Sequence, residues 1–237
     1  MLKKYLAFNC VFALVFIAQL FATYDSENSQ LLSDNFRLIT KPLIVISLMI
    51  FYVYQSQLKN KYAKRIFAGL LFGLVGDILL MFTHSNENFF LLGLAAFLIG
   101  HLLYLSAFYI DYKINPALEK SATRLALVIF GVYCLVFYFF LRPHLVGMKI
   151  PVMIYAFVIS LMAIMAVNRK GRVNHLSFCL ILVGAVLFLI SDSFLAYHKF
   201  VNAFSYGGMV IMATYMLAQY FITIGAVERN VKEIIED

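Results

Sequence analysis

Long apolar stretches alternate with short polar segments along the whole chain. A helix needs about 20 mostly apolar residues to cross a bilayer, and eight stretches come close to that length. They predict eight transmembrane helices, at roughly residues 5–24, 38–57, 66–83, 89–110, 123–141, 150–168, 175–196 and 203–227. Because the connections are short, we predict one all-α, polytopic membrane helix bundle that occupies residues 1–237 as a single domain.

The first apolar stretch lies near the N-terminus, where Lys3 and Lys4 precede an uncharged run from Tyr5 to Tyr24. This arrangement is similar to a secretory signal peptide. The run is long enough to span a bilayer, however, and no small-x-small cleavage site precedes Asp25. We therefore expect an uncleaved first span.

The positions of lysine and arginine predict the orientation of the helices. With the N-terminus inside, 14 of the 19 basic residues fall on the inner side, and the other five are Arg37, Lys41, Arg142, Lys149 and Lys199. Cytoplasmic loops of membrane proteins carry such an excess of positive charge. We therefore predict that both termini are cytoplasmic, in a multi-pass protein of the plasma membrane, the inner membrane of a bacterium.

The composition is that of a membrane protein. Hydrophobic residues make up 63% of the chain and charged residues 13%, whereas a soluble domain is about half apolar and a quarter charged. The net charge of +7 lies in short loop clusters and is not interleaved with aromatic residues on one face, which argues against nucleic-acid binding. The three cysteines stand singly inside apolar stretches, so we expect small buried residues and neither a disulfide nor a zinc site.

Two segments of the chain resemble each other. GLLFGLVGDILL (69–80) aligns with GAVLFLISDSFL (184–195), and this pairs Asp77 with Asp192 at a separation of 115 residues. The same separation pairs Gly93 with Gly208 in the spans that follow. We interpret the chain as a 4+4 parallel repeat with halves of about 1–112 and 113–237, related by an axis along the membrane normal.

Asp77 and Asp192 are the strongest candidates for a functional site, because an ionisable residue inside a span is costly and usually faces the bundle interior. Asp77 shares a helical stripe with Gly69 and Gly73, a pair typical of a close helix–helix contact. The two aspartates lie ~9 Å and ~8 Å from the outer ends of their spans, so we expect the carboxyl groups at one depth, facing each other. The simpler interpretation is that they only link helices by hydrogen bonds.

Further polar residues are candidates for substrate binding or support. Lys41, in TKPL with Pro42 in the first helical turn, could pair with an aspartate, contact a substrate phosphate, or extend to the lipid headgroups. Ser191 and Ser193 flank Asp192 and either orient its carboxylate or bond to their own helix. Deeper polar residues either line the floor of a cavity or link helices: His101, Tyr104, Tyr215 and Gln219.

The sequence contains no metalloprotease, serine-hydrolase, P-loop or dinucleotide-binding motif, and its histidines do not form a zinc-binding cluster. Four segments instead resemble a known family: TKPL, GLVGDILL, FLLGLAAFLIGHLLY and FLISDSFLA. In order and spacing they are similar to the YhhN-type lysoplasmalogenases, which are eight-span integral membrane enzymes. The resemblance covers nearly the whole chain, except the first span and the polar loop after it.

The resemblance implies a hydrolase that cleaves the vinyl ether bond of lysoplasmalogens, a class of lysophospholipid, and releases a fatty aldehyde and glycerophosphoethanolamine or glycerophosphocholine. It implies no metal and no organic cofactor. By motif, the family's two aspartates correspond to Asp77 and Asp192, its lysine to Lys41 and its histidine to His101. Such chemistry is close to glycoside cleavage, which uses one protonated and one ionised carboxyl group. The sequence leaves open which aspartate has which role.

Two other functions are compatible with the same residues. Parallel four-span halves with carboxylates near the midplane also suit a proton-coupled transporter of a small molecule or lipid. Alternatively, the chain is a non-catalytic lipid-binding membrane protein whose aspartates only lock the helices together.

Overall fold

The computed structural model describes residues 4–28, 34–83, 85–118 and 120–232, so Lys3 and part of the polar loop after the first span lie outside the described residues. Eight α-helices are present in these ranges. They are α1 (Leu6–Asn28), α2 (Asp34–Ser56), α3 (Lys61–Met81), α4 (Asn88–Tyr112), α5 (Ser121–Leu141), α6 (Lys149–Val167), α7 (His175–Phe200) and α8 (Gly207–Val227). A short 3-10 turn, Arg142–His144, follows α5.

The predicted all-α class is confirmed: the described residues contain no β-strand, apart from an isolated antiparallel bridge between Val173 and Val231. Seven of the eight helices are long and apolar enough to cross a membrane, as expected for a multi-pass membrane protein. The exception is α3, which carries three basic residues in its first turns in addition to Asp77. A crossing by α3, and with it the count of eight spans, stays a prediction.

Several helices extend beyond the apolar stretches that predicted them. The expectation that Pro42 occupies the first turn of its helix is wrong, because α2 begins at Asp34 and contains Pro42 in its interior. Likewise α3 begins at Lys61, where the side chain of Asn60 caps it by accepting a 2.8 Å hydrogen bond from the Ala63 amide. Hydropathy marks where apolar residues begin, whereas helical hydrogen bonding continues into polar flanks. Cys10 is exposed on α1, contrary to the expected burial.

Packing follows the same order in the two halves of the chain. α3 packs most extensively on α4, and α7 on α8, while α1 lies against α2 and α5 against α6. The halves are joined where α4 meets α6 and where α2 meets α8. A parallel repeat would produce this arrangement, although the repeat itself stays a prediction.

Glycines allow the closest helix contacts. A Cβ atom at Gly69 would collide with the ring of Tyr104, and one at Gly100 would lie 3.3 Å from the carbonyl oxygen of Gly69. In the second half, a Cβ atom at Gly184 would lie 2.9 Å from the carbonyl oxygen of Ala218. Side chains at these positions would push α3 from α4 and α7 from α8, and both aspartate-bearing helices would move.

Short connections make consecutive helices alternate in direction. The end of the bundle with the α1–α2, α3–α4, α5–α6 and α7–α8 connections is called the cavity end here, and the other is called the opposite end. At the opposite end a buried ion cluster joins three segments: Asp111 Oδ2 accepts a 2.7 Å bond from Arg169 Nε, and Asp111 Oδ1 accepts a 2.7 Å bond from Arg229 Nε. Asp111 and Arg169 are completely buried.

Candidate active site

A cavity of about 360 Å³ opens at the cavity end and contains both candidate aspartates in its wall. Residues from α1, α2, α3, α4, α7 and α8 line it. Its apolar surface includes Leu80, Phe97 and Met212. The cavity therefore combines carboxyl groups with an apolar wall, which suits a substrate with a polar part and a hydrocarbon part.

Asp77 is held by two different helices. Its Oδ2 accepts a 2.7 Å hydrogen bond from the phenol of Tyr215 on α8, and its Oδ1 lies 3.5 Å from Nζ of Lys41 on α2. The side chain of Asp77 is 2% exposed and that of Lys41 is 14% exposed. Lys41 thus lies beside an aspartate, which is one of the arrangements that the sequence left open for it.

A chain of hydrogen bonds extends from Asp77 into the bundle. The amide nitrogen of Gln219 donates to the phenol oxygen of Tyr215 at 3.2 Å, and its amide oxygen accepts from the phenol of Tyr104 at 2.6 Å. All these side chains are buried. Tyr104, Tyr215 and Gln219 therefore form one connected network below Asp77, with Tyr215 alone of the three lining the cavity.

Asp192 is held by a second set of donors. Its Oδ2 accepts a 2.5 Å hydrogen bond from the phenol of Tyr155 on α6 and lies 3.1 Å from Nε2 of His101 on α4. The same His101 nitrogen is 2.9 Å from the Tyr155 oxygen, so the three side chains form a compact triangle. The ring of His101 packs edge-on against Phe188, and its Nδ1 is buried without a hydrogen-bond partner among the described residues.

The two serines beside Asp192 bond elsewhere. Ser191 donates a 3.0 Å hydrogen bond to the carbonyl oxygen of Ile211 on α8. Ser193 bonds back to the carbonyl oxygen of Leu189 in its own helix and contacts the phenol of Tyr133 on α5. Ser191 therefore bonds to a neighbouring helix and Ser193 to its own helix and α5, so Tyr155 and His101 are the groups that orient the carboxylate.

Two small apolar crevices also border Asp192. Each has a volume of about 30 Å³. One lies among α4, α6 and α7 beside Phe90 and Leu94, and the other lies among α5, α6 and α7 beside Phe137. Asp192 is therefore adjacent to three hollows, the main cavity among them.

A comparison with protein-family models matches residues 36–226 to the model described as the YhhN family. The chain belongs to the YhhN family. The match begins after α1 and includes both aspartates with all the donors that bind them. The resemblance seen in the four short motifs is thus confirmed over most of the chain.

Curated relatives of this YhhN-family chain are named lysoplasmalogenases. The chain is 34% identical over 179 residues to lysoplasmalogenase TMEM86A of Bos taurus, which covers 74% of this chain and 69% of that protein. It is 30% identical over 186 residues to lysoplasmalogenase TMEM86B of Sus scrofa, and this match covers 78% of this chain and 73% of that protein. It is 33% identical over 153 residues to lysoplasmalogenase TMEM86B of Mus musculus. This match covers 64% of this chain and 58% of that protein, which is less than two thirds of the relative. No solved structure matches the chain significantly.

Sequence reasoning missed three residues of this YhhN-family site. Tyr155 lies in an apolar span with no neighbouring polar residue, so no motif singles it out. Arg37 and Lys199 entered only as outer basic residues, yet both line the cavity with Lys41. A detectable signal existed for Arg37, since it precedes Lys41 by four residues and a helix places such residues on one face.

Carboxyl and imidazole groups such as those of this site are also common ligands of metal ions. Within residues 4–28, 34–83, 85–118 and 120–232, no group of three or more His, Cys, Asp or Glu side chains is arranged to hold a metal ion. The polar groups that line or support the cavity include carboxyl, phenol, imidazole and ammonium groups.

Proposed function

We propose that this YhhN-family protein is a lysoplasmalogenase, which hydrolyses the vinyl ether bond of a lysoplasmalogen to a fatty aldehyde and glycerophosphoethanolamine or glycerophosphocholine. The observation that carries the proposal is the single cavity in which two aspartates are each oriented by hydrogen-bond donors from other helices. The names of the curated relatives support the same reaction.

The reaction needs an acid that protonates one carbon of the vinyl ether and a base that takes a proton from the water attacking the other carbon. A proton is added to the outer carbon of the vinyl ether, which leaves an oxocarbenium ion at the carbon bound to oxygen. Water attacks that carbon and loses a proton, and the resulting hemiacetal breaks its C–O bond to give the aldehyde and the glycerol hydroxyl. One carboxyl group supplies the first proton, and the other stabilises the cation and accepts the proton from water.

Two features of the site support this division of work between Asp77 and Asp192. The two carboxyl groups have separate partners, Lys41 and Tyr215 for one, His101 and Tyr155 for the other, so their environments differ. Different environments allow one carboxyl group to be protonated while the other is ionised. The apolar wall of the main cavity, with Leu80, Phe97 and Met212, offers space for the hydrocarbon chain.

The direct test is aldehyde release by the purified protein from an alkenyl lysophospholipid. The saturated alkyl ether analogue has no double bond to protonate and serves as the inert control, and the acyl lysophospholipid tests for ordinary esterase activity. Asp77→Asn and Asp192→Asn should each lower turnover at least about 100-fold, within the range of general acid–base catalysis. Glu87→Gln, at an exposed carboxylate of the cavity end, is the matched control.

Near-normal turnover in either aspartate variant would refute the two-carboxyl mechanism. Vectorial movement of the lipid in proteoliposomes without aldehyde formation would instead indicate a transporter. Loss of thermal stability in both variants, with no aldehyde released by the parent protein, would indicate a non-catalytic lipid-binding protein. The three functions therefore give three different results in the same set of proteins.

We also propose the finer membrane topology: one domain of eight spans in a 4+4 repeat, with both termini cytoplasmic, in the inner membrane of a bacterium. Supporting a span for α3, its Asp77 contacts Tyr215 on α8, a helix that is itself long and apolar enough to cross. Supporting the orientation, 14 of 19 basic residues would be cytoplasmic. A C-terminal alkaline phosphatase fusion should be inactive, and an active one would overturn the orientation.

A further inference from the structure

The mouth of the main cavity is bordered by cationic side chains. Arg37 and Lys41 lie one helical turn apart on the same face of α2, and Lys199 lies at the end of α7. All three line the cavity, as does the neighbouring His198. Two helices that are distant in sequence therefore place positive charge at one opening.

The three cationic side chains differ in their contacts. Lys41 lies beside Asp77, and Nζ of Lys199 is placed over the ring of Phe90 at 5.1 Å from its centre. Among the described residues the guanidinium of Arg37 makes no ion pair or hydrogen bond. The carboxylates of the cavity wall belong to Asp77 and Asp192.

The spacing of these groups matches the length of the glycerol backbone of a lysophospholipid. Arg37 is four residues from Lys41, a rise of ~6 Å along α2, and Lys41 contacts Asp77 at the reaction site. That distance is comparable with the glycerol backbone that separates a vinyl ether from the phosphorus atom of its lysophospholipid. An anionic group held at Arg37 would leave the ether beside the aspartates.

We propose that Arg37 and Lys199 bind the phosphodiester group of the lysophospholipid at the mouth of the cavity. The inference rests on the proposed function and adds the orientation of the substrate, with phosphate outermost and hydrocarbon chain innermost. Guanidinium suits this task because its planar N–H groups match two phosphate oxygens at once. Lys199 adds a second charge from the facing helix, held in place by the aromatic ring of Phe90.

The test compares two alkenyl substrates that differ only in the headgroup. One is the alkenyl lysophosphoethanolamine, and the other is the alkenyl glycerol, which has no phosphate. We expect Arg37→Gln and Lys199→Gln each to reduce the ratio of kcat/KM for the phosphate-bearing over the phosphate-free substrate about tenfold, mainly through KM. Arg142→Gln, at an exposed cation of the cavity end outside the cavity, should keep the parent ratio.

An unchanged ratio in both cavity variants would overturn the proposal, since the two cations would then only extend to the surrounding lipid headgroups. If the parent protein releases no aldehyde from either substrate, the proposed function fails and the subsite is tested by binding. The probe is then the saturated alkyl ether lysophosphoethanolamine, measured by thermal stabilisation in detergent. A stabilisation that Arg37→Gln abolishes supports the subsite, and an equal stabilisation of parent and variant overturns it.

Inorganic phosphate distinguishes a lipid subsite from a site for the free ion. We expect millimolar phosphate to raise Tm far less than the lysolipid does, because it lacks the hydrocarbon chain that fills the apolar wall of the cavity. Stabilisation by inorganic phosphate alone, lost in Arg37→Gln and with no effect of the lysolipid, would overturn the assignment to a lipid headgroup.

Discussion

The buried ion cluster at the opposite end of the bundle provides a test of the fold that does not depend on catalysis. Asp111 accepts bonds from Arg169 and Arg229, and neither Asp111 nor Arg169 has any exposed side-chain surface. Asp111→Asn keeps the shape of the side chain but removes its charge. The new amide group also presents N–H donors to guanidinium donors, so at least one of these bonds is lost.

The magnitude follows from the burial. Removing one partner of a buried ion pair leaves the other charge uncompensated and costs about 3–5 kcal/mol of the free energy of unfolding. For a chain of this length each kcal/mol lowers Tm by about 2–4 °C, so Asp111→Asn should lower Tm by about 6–20 °C. Arg169 retains its bonds to the carbonyl and hydroxyl of Ser177, which keeps the effect within that range.

Thermal unfolding in detergent, followed by size-exclusion chromatography of the remaining folded protein, measures this change. Glu87→Gln is the exposed control and should stay within about ±0.5 kcal/mol of the parent protein. Asp111→Asn combined with Arg169→Met should lose less stability than the two single changes together, because each single change removes the same interaction. A Tm of Asp111→Asn equal to that of Glu87→Gln would refute the reasoning.

The remaining predictions concern the phenols of the site and the pairing of the two ends of the chain. Tyr155→Phe and Tyr215→Phe each remove a hydrogen bond to an aspartate and should lower kcat about 10- to 150-fold with little change in KM; a normal kcat in both would contradict their role in positioning. Burial alone would raise the pKa of Glu228, but hydrogen bonds from Lys4 and Tyr5 hold it below its ordinary value. The partly exposed contacts of Glu228 with Lys4 and Tyr5 contribute about 1 kcal/mol or less to the free energy of unfolding. This contribution is present above pH ~4.3 and is lost as the pH falls through the lower folded-state pKa of Glu228. Between about pH 5 and pH 3 the Tm of the parent protein should therefore fall more steeply than the Tm of Glu228→Gln. Parallel pH profiles of the two proteins would contradict this role of Glu228.

The helices and the two aspartates could be predicted from the sequence because both depend on local signals. Apolar stretches of span length mark the helices, and a carboxylate inside such a stretch is conspicuous. The same rule misplaced helix ends where polar residues continue a helix. Hydropathy ended the fourth span at residue 110, just before Asp111, because it counts an isolated charge as unfavourable. The partner of Asp111, Arg169, is 58 residues away in the sequence.

The donors around the aspartates could be predicted only in part, because they depend on which helices meet. Tyr215 stood out through its spacing from Gln219 along one helix. Tyr155 did not, since its hydrogen bond to Asp192 is created by the packing of α6 beside α7. For Ser191 and Ser193 the sequence left open contact with Asp192 or bonding within their own helix. Ser191 bonds to α8, and Ser193 bonds to its own helix and contacts α5. Direction around a helix, more than distance along the chain, decides which side chains meet.

The contact between Asp77 and Tyr215 has a consequence for the order in which the protein is synthesised. The two residues are 138 positions apart, so Asp77 leaves the ribosome long before its phenol partner on the last helix. An aspartate inside a span disfavours membrane insertion, by up to about 2.5–3.5 kcal/mol at the centre. Of its two partners, Lys41 on the preceding helix is already present at that stage. If α3 crosses the membrane as proposed, the nascent chain accommodates it beside α2 first, and the cavity acquires its complete set of donors only when α8 follows.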